Sequence, residues 1–234
     1  DQHCTTGTAR QAHRRAGGYR ARMAVMPMFP LGSVLLPNGV LSLHVFEPRY
    51  RALVTDCVAA EHHEFGVVLI DRGSEVGGGD VRRQVGTVAR MVQVAEVDDG
   101  RFAVIAVGVA RMRVREWLVD DPYPLAEIDV WPDLDELPDP HEPPDLDELL
   151  GLVTQRTRRA AALAVELGDD AADPSSDIAD DLLTASYQLA ALAPIGPADV
   201  YSLLSAAGPV ARLTALAALL DDVEAIQSFR LQSP

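Results

Sequence analysis

The chain has 234 residues, 48% of them hydrophobic, and a formal net charge of −15, enough for one large domain or two small ones with a sizeable core. All twenty cationic residues are arginine, so the chain offers neither the phosphate-binding lysine of a P-loop nor the amine of a Ser-Lys protease or a Schiff-base enzyme. No apolar run reaches the ~18 to 20 residues of a membrane span, and Cys4 and Cys57 are too few for a disulfide framework; a soluble protein of a reducing, cytoplasmic setting is expected.

Residues 1–22 carry five Arg and one Asp without the apolar stretch of a secretory signal, and read as a disordered extension. A first domain is expected over 23–132. In "LSLHVFEPRYRALV", residues 41–54, Leu41, Leu43 and Val45 alternate with Ser42 and His44, the period of a half-buried strand. A helix then starts at Glu47-Pro48, where proline suits the first helical position, and runs to about Ala60. "FGVVLID", 65–71, is an apolar strand leading into the glycine-rich "RGSEVGGGD". Two longer strands flank "DDG", 98–100, a strong hairpin signal. Short strands spaced this way with one early helix point to a mostly antiparallel, closed or partly closed barrel.

Residues 133–144 are too rich in proline and acid to hold either period and read as a linker. Beyond it the apolar period becomes 3.6, with Leu146, Leu149, Leu150, Val153, Ala160 and Leu167 on one stripe. Gly196-Pro197 and Gly208-Pro209 open two further helices. A bundle of about four helices is expected over 145–230, giving an α+β chain.

The chemical candidates are few. Strand parity sends His44 outward, and Glu47 is placed to pair with Arg51 at i,i+4 spacing. Tyr50 with Leu53 or Val54 would face the barrel. His62-His63-Glu64 lacks the one-face spacing of a zinc site and reads as a turn. The glycine-rich loop has neither G-x-G-x-x-G order nor a following helix. Arg111, Arg113 and Arg115 alternate with apolar residues, placing three cations and Trp117 on one face. A return of the chain near Asp121-Pro122 would pair Arg115 with Glu127 and Arg113 with Asp129. Between residues 116 and 181 twenty carboxylates stand against three arginines, a balance that repels phosphate backbones. No catalytic residue, metal ligand or cofactor is assigned.

"MPMFPLGSVLLPNGVLSLHVFEPRYRALV", then "FGVVLIDRGSEVGGGD", "VGTVARMVQV" and "GRFAVIAVGVARMRVREWL", in this order, resemble the N-terminal, substrate-binding domain of Lon proteases in a free-standing form. "PIGPADVYSLL" and the region of Arg212-Leu213 resemble the helical part of that family more loosely. The resemblance implies a PUA-like pseudo-barrel followed by helices, without the ATPase ring or the protease. It implies a non-enzymatic module that binds unfolded protein or a degron peptide and presents it to a protease or chaperone. The candidate lining is Phe29, Phe46, Tyr50 and Trp117 with Arg113, and Phe46 is also expected in the core. Two alternatives are a small hydrolase using carboxylates or His62 and His63, and PUA-like RNA binding through the face of Arg111, Arg113 and Trp117.

Overall fold

The computed structural model describes residues 24–73, 75, 79–97, 99–134 and 145–232. The extension expected at 1–22 and most of the linker expected at 133–144 lie outside them. Six strands come first, β1 (Ala24–Leu31), β2 (Val40–Val45), β3 (Glu64–Arg72), β4 (Val81–Val97), β5 (Arg101–Trp117) and β6 (Leu125–Val130), with helix α1 (Pro48–Ala59) between β2 and β3. Four helices follow: α2 (Leu146–Glu166), α3 (Leu182–Leu192), α4 (Pro197–Leu204) and α5 (Pro209–Gln232).

The sheet runs β2-β5-β4-β3-β1-β6, and β6 also pairs with β5. All pairings are antiparallel except β1 with β3. Hydrogen bonding therefore passes round a closed circuit of β1, β3, β4, β5 and β6, and among the described residues β2 hangs outside it on β5 alone. Met28, Val68, Val88, Met112, Ala126 and Ile128, drawn from all five circuit strands, form one apolar cluster. A second cluster lies under α1, where Tyr50, Leu53, Val54 and Cys57 pack on Phe29, Phe65, Val104 and Ala106. Burial of apolar side chains is the main stabilising term here, about 25 cal/mol per Å².

Helix α1 starts as the sequence expects, with Glu47 as the N-cap residue and Pro48 in the first turn. Glu47 itself is extended, at φ −66° and ψ 136°, so its side chain does not run down the helix towards Arg51. It meets Arg49 instead, Nε to Oε2 at 3.1 Å, which corrects the expected Glu47–Arg51 pair. Arg51 lies against Gly100, a glycine at φ +74° whose missing Cβ leaves room for the guanidinium. Asp145 caps α2 by accepting from the N–H groups of Asp147 and Glu148, and Asp181 caps α3 through Thr184 N–H.

The helices form a third cluster around Val153, Ala160, Leu189, Leu203, Leu213 and Leu216, which also takes in Leu36 and Val85 from the sheet half. A buried charged network fastens the two halves. Asp133 Oδ1 accepts from Arg212 Nη2 of α5 at 2.6 Å and lies 3.2 Å from Arg111 Nη2 of β5. Asp133 Oδ2 accepts from the Tyr187 hydroxyl at 2.7 Å. Arg111 also donates to the carbonyls of Leu204 and Pro132, and Arg212 to Leu203 O and Ser186 Oγ. Gly208 sits where a Cβ would come within 2.2 Å of Leu134 O, so the start of α5 reaches the end of the sheet half by backbone contact.

Candidate polypeptide-binding site

The residues singled out in the sequence do not converge. Phe29 of β1 and Tyr50 of α1 stack on each other with ring centroids 4.1 Å apart, and both are buried. Burial pushes the Tyr50 hydroxyl up to about 12, although the nearby Arg49 works against the shift. Phe46, expected in the core, is 55% exposed. The strand alternation explains the correction: Val45 points inward, so Phe46 points out just before the chain turns into α1.

Trp117 does not share a face with the arginines. A β-bulge between Val114 and Glu116 shifts the parity, so that Trp117 lies opposite Ala126 and Val114 opposite Ile128, on the same side. Trp117 packs on the circuit cluster and stacks with Arg82, whose guanidinium lies 4.8 Å from the ring centroid. The same bulge redirects the ion pairs. Asp129 faces Arg113 in register, as expected, yet its carboxylate takes the Arg115 side chain, while Glu127 faces Glu116. Arg113 stacks on Trp131 instead, 4.1 Å from the ring centroid. His62 and His63 are exposed after α1; His63 adopts φ +54° and its Nδ1 lies 3.0 Å from Cys57 O.

A cleft of about 260 Å³ opens where the β1–β2 connection meets the helices. Leu36, Pro37 and Gly39 form one wall, and Ile178, Ala191 and Leu192 the other. Both walls are fixed by hydrogen bonds. Thr87 Oγ1 donates to Leu35 O at 2.5 Å, Asn38 N–H to Gly108 O at 2.8 Å and Gly108 N–H to Gly39 O at 2.9 Å. Gly108 permits this approach, since a Cβ there would stand 2.4 Å from Leu36 O. Across the cleft, Asp173 accepts from Ser175, Arg158 Nη2 donates to Ser176 O, and Gln188 Oε1 accepts from Ala179 N–H. The walls are largely apolar, with Asn38, Asp177 and Gln188 supplying polar groups.

Strand β2 leaves this wall at Val40 and runs along the end of the sheet. Among the described residues no second strand pairs with it, so its outer edge presents unpaired backbone donors and acceptors. On one face of β2, Val45 joins the cluster that includes the α1 side chains, and Leu41 and Leu43 pack against it. On the other, Val40 is 69% exposed and aligns with Val107, while Ser42 aligns with Ile105 and His44 with Ala103. The β5 partners on this face, Ala103, Ile105 and Val107, are apolar, and Arg101 and Arg90 flank them. A cleft with fixed walls and an open strand edge can together take an extended polypeptide by strand addition and side-chain insertion.

A family model described as the ATP-dependent protease La (LON) substrate-binding domain matches residues 25–222. The chain belongs to the Lon substrate-binding domain family. Lon protease of Anaeromyxobacter dehalogenans is 38% identical over 109 residues, 45% of this chain and 13% of that protein. Lon protease 2 of Myxococcus xanthus is 36% identical over 108 residues, with the same shares. The chain thus spans about 13% of the length of these curated relatives. Among solved structures, the Lon N-terminal domain protein from Xanthomonas campestris superposes with a TM-score of 0.59 at 29% identity, covering 84% of this chain and 98% of that one. The N-terminal domain of Mycobacterium avium complex Lon protease, at 17% identity, shares the fold with a TM-score of 0.53 over 85% of this chain and 99% of that one.

As a Lon substrate-binding domain, the chain has a mixed α+β fold, with one six-stranded sheet and five helices among the described residues. Sequence reasoning missed the cleft. Its walls come from residues about 140 positions apart, Leu36 to Gly39 and Ile178 to Leu192, and no local period marks them. The one available signal was "LLPNG", residues 35–39, a turn motif directly before a strand. Among the described residues no helix is long and apolar enough to cross a membrane.

Proposed function

We propose that this Lon substrate-binding domain is a non-catalytic recognition module that takes extended, unfolded polypeptide at the cleft and along β2. The observation that carries the reading is the adjacency of an apolar cleft, with both walls fixed, to an unpaired strand edge. Backbone hydrogen bonds to β2 would supply affinity that ignores sequence, and the cleft would select an apolar side chain. Clients would include degron segments of otherwise folded proteins, handed on to a protease or chaperone. The closed pairing circuit supports a PUA-like pseudo-barrel as the scaffold. The family match favours neither the hydrolase nor the RNA-binding alternative.

The reading is tested by titrating a permanently unfolded protein against the wild type and Ala191→Trp, which fills the cleft from an exposed position. Saturable binding that the substitution weakens at least tenfold is expected; no saturable binding by the wild type would end the proposal.

A further inference from the structure

We infer a second recognition site on the solvent face of β5 at Arg113, taking the side chain of an aspartate or glutamate that has an apolar neighbour in the bound polypeptide. The inference rests on the polypeptide-recognition reading and names a chemistry for part of what is bound.

Arg113 is exposed, and its guanidinium lies 4.1 Å from the centroid of the Trp131 ring. The ring is itself held by Arg111, 4.3 Å from the same centroid, which is buried and bonded to Leu204 O, Pro132 O and Asp133. Arg113 is thus stacked on a fixed surface. Among the described residues it makes no ion pair or hydrogen bond, because Asp129, its partner in register, is taken by Arg115. A planar guanidinium fixed in place, with its N–H groups uncommitted, binds a carboxylate with less loss of side-chain freedom than a mobile one.

The surrounding charge points the same way. Among the described residues of this network, Arg111, Arg113 and Arg212 stand against one carboxylate, Asp133, a balance of +2 in a protein of net charge −15. Burial depresses the pKa of Arg111, and the charges of Arg212 and Arg113 depress it further, against the raising effect of Tyr187 and Asp133. A carboxylate on Arg113 relieves that repulsion. The neighbouring Arg83 and Arg115 are paired with Asp71 and Asp129. One uncompensated guanidinium suits one carboxylate, whereas a phosphate backbone needs several cations in a row. The apolar component is at hand: Leu134 is 49% exposed, and its N–H donates to Ala207 O, a carbonyl that Arg111 also holds.

The test is fluorescence anisotropy with labelled, C-terminally amidated peptides containing one Leu-Glu or one Leu-Gln pair in a Gly-Ser context. The wild type is expected to prefer the Leu-Glu peptide roughly fivefold to tenfold. Arg113→Gln, with its fold checked by circular dichroism, is expected to remove the preference by bringing the Leu-Glu affinity down to that of Leu-Gln. Equal binding of the two peptides by the wild type, or a preference that survives Arg113→Gln, overturns the inference and leaves the recognition reading standing. Failure of both peptides and of an unfolded protein to bind overturns both. Tighter binding by a free C-terminal leucine carboxylate, a phosphoserine peptide or an RNA oligonucleotide overturns the assignment to an acidic side chain.

Discussion

Arg212 of α5 and Asp133, which follows β6, lie 2.6 Å apart with side chains 0% and 10% exposed. They join the helices to the sheet. Asp133 is also the carboxylate facing Arg111 and the acceptor for Tyr187, so one carboxylate bridges two buried guanidinia, offsetting one of their two charges, and fixes a phenol. Removing it strands both cations.

Asp133→Ala is therefore expected to cost about 3–5 kcal/mol, the usual penalty for leaving buried charge uncompensated. Urea denaturation monitored by circular dichroism measures it. A loss below about 1 kcal/mol, the range of a surface pair, would mean that the network does not fasten the halves.

Gly208→Ala places a Cβ 2.2 Å from the Leu134 carbonyl oxygen. Backbone on one side and a helix start on the other leave little room to relax, so a loss of about 1–3 kcal/mol is expected. Gly151→Ala, with nothing within 4 Å and a position inside α2, should instead gain up to about 1 kcal/mol. The pair of melting temperatures checks the contrast between them.

Phe29 and Phe46 were alike in the sequence and differ in the structure. Phe29→Ala removes a ring stacked on Tyr50 and should cost about 3–5 kcal/mol. Phe46→Ser removes a ring that is 55% exposed and should change stability by no more than about 0.5 kcal/mol. If Phe46→Ser proves the more damaging, the strand parity at Val45 is wrong.

Burial pushes the Cys57 thiol from 9.0 up to about 12, with Asp56 adding to the shift, and the Tyr50 hydroxyl from 10.0 to about 12. The fold thus favours the neutral form of both groups. Below about pH 9 neither affects stability; above it the unfolded chain ionises first and gains, so stability falls as pH rises towards 12. Each group contributes a slope of about 1.4 kcal/mol per pH unit once its unfolded form is ionised. Denaturation between pH 8 and pH 11 should show this decline, shallower in Cys57→Val, and stability that rises over the interval would contradict the burial of both groups.

Where local chemistry decides, the sequence was readable. The Asp98–Gly100 hairpin, the β2 alternation, the Glu47-Pro48 helix start and the Gly208-Pro209 break each follow from a few adjacent residues, and the structure has β4 and β5, β2, α1 and α5 at those places. The bulge near Arg115 was not readable, because one extra residue reverses every parity beyond it without altering composition. That shift moved Trp117 off the arginine face and gave Asp129 to Arg115. Nor was the network of Arg111, Asp133 and Arg212 legible: an arginine of a strand and one of a helix look like surface charge until folding places the same carboxylate between them. The cleft depends on that joint, so it was hidden for the same reason.

Hydrogen–deuterium exchange of the whole chain, with and without saturating unfolded polypeptide, tests the recognition site most directly. Slower exchange is expected for backbone amides at residues 36–45 and at residues 176–192, the two cleft walls and the open strand, with Ala191→Trp abolishing the effect. Saturable binding that leaves both segments unprotected and slows exchange elsewhere would contradict the placement of the site at the cleft and β2.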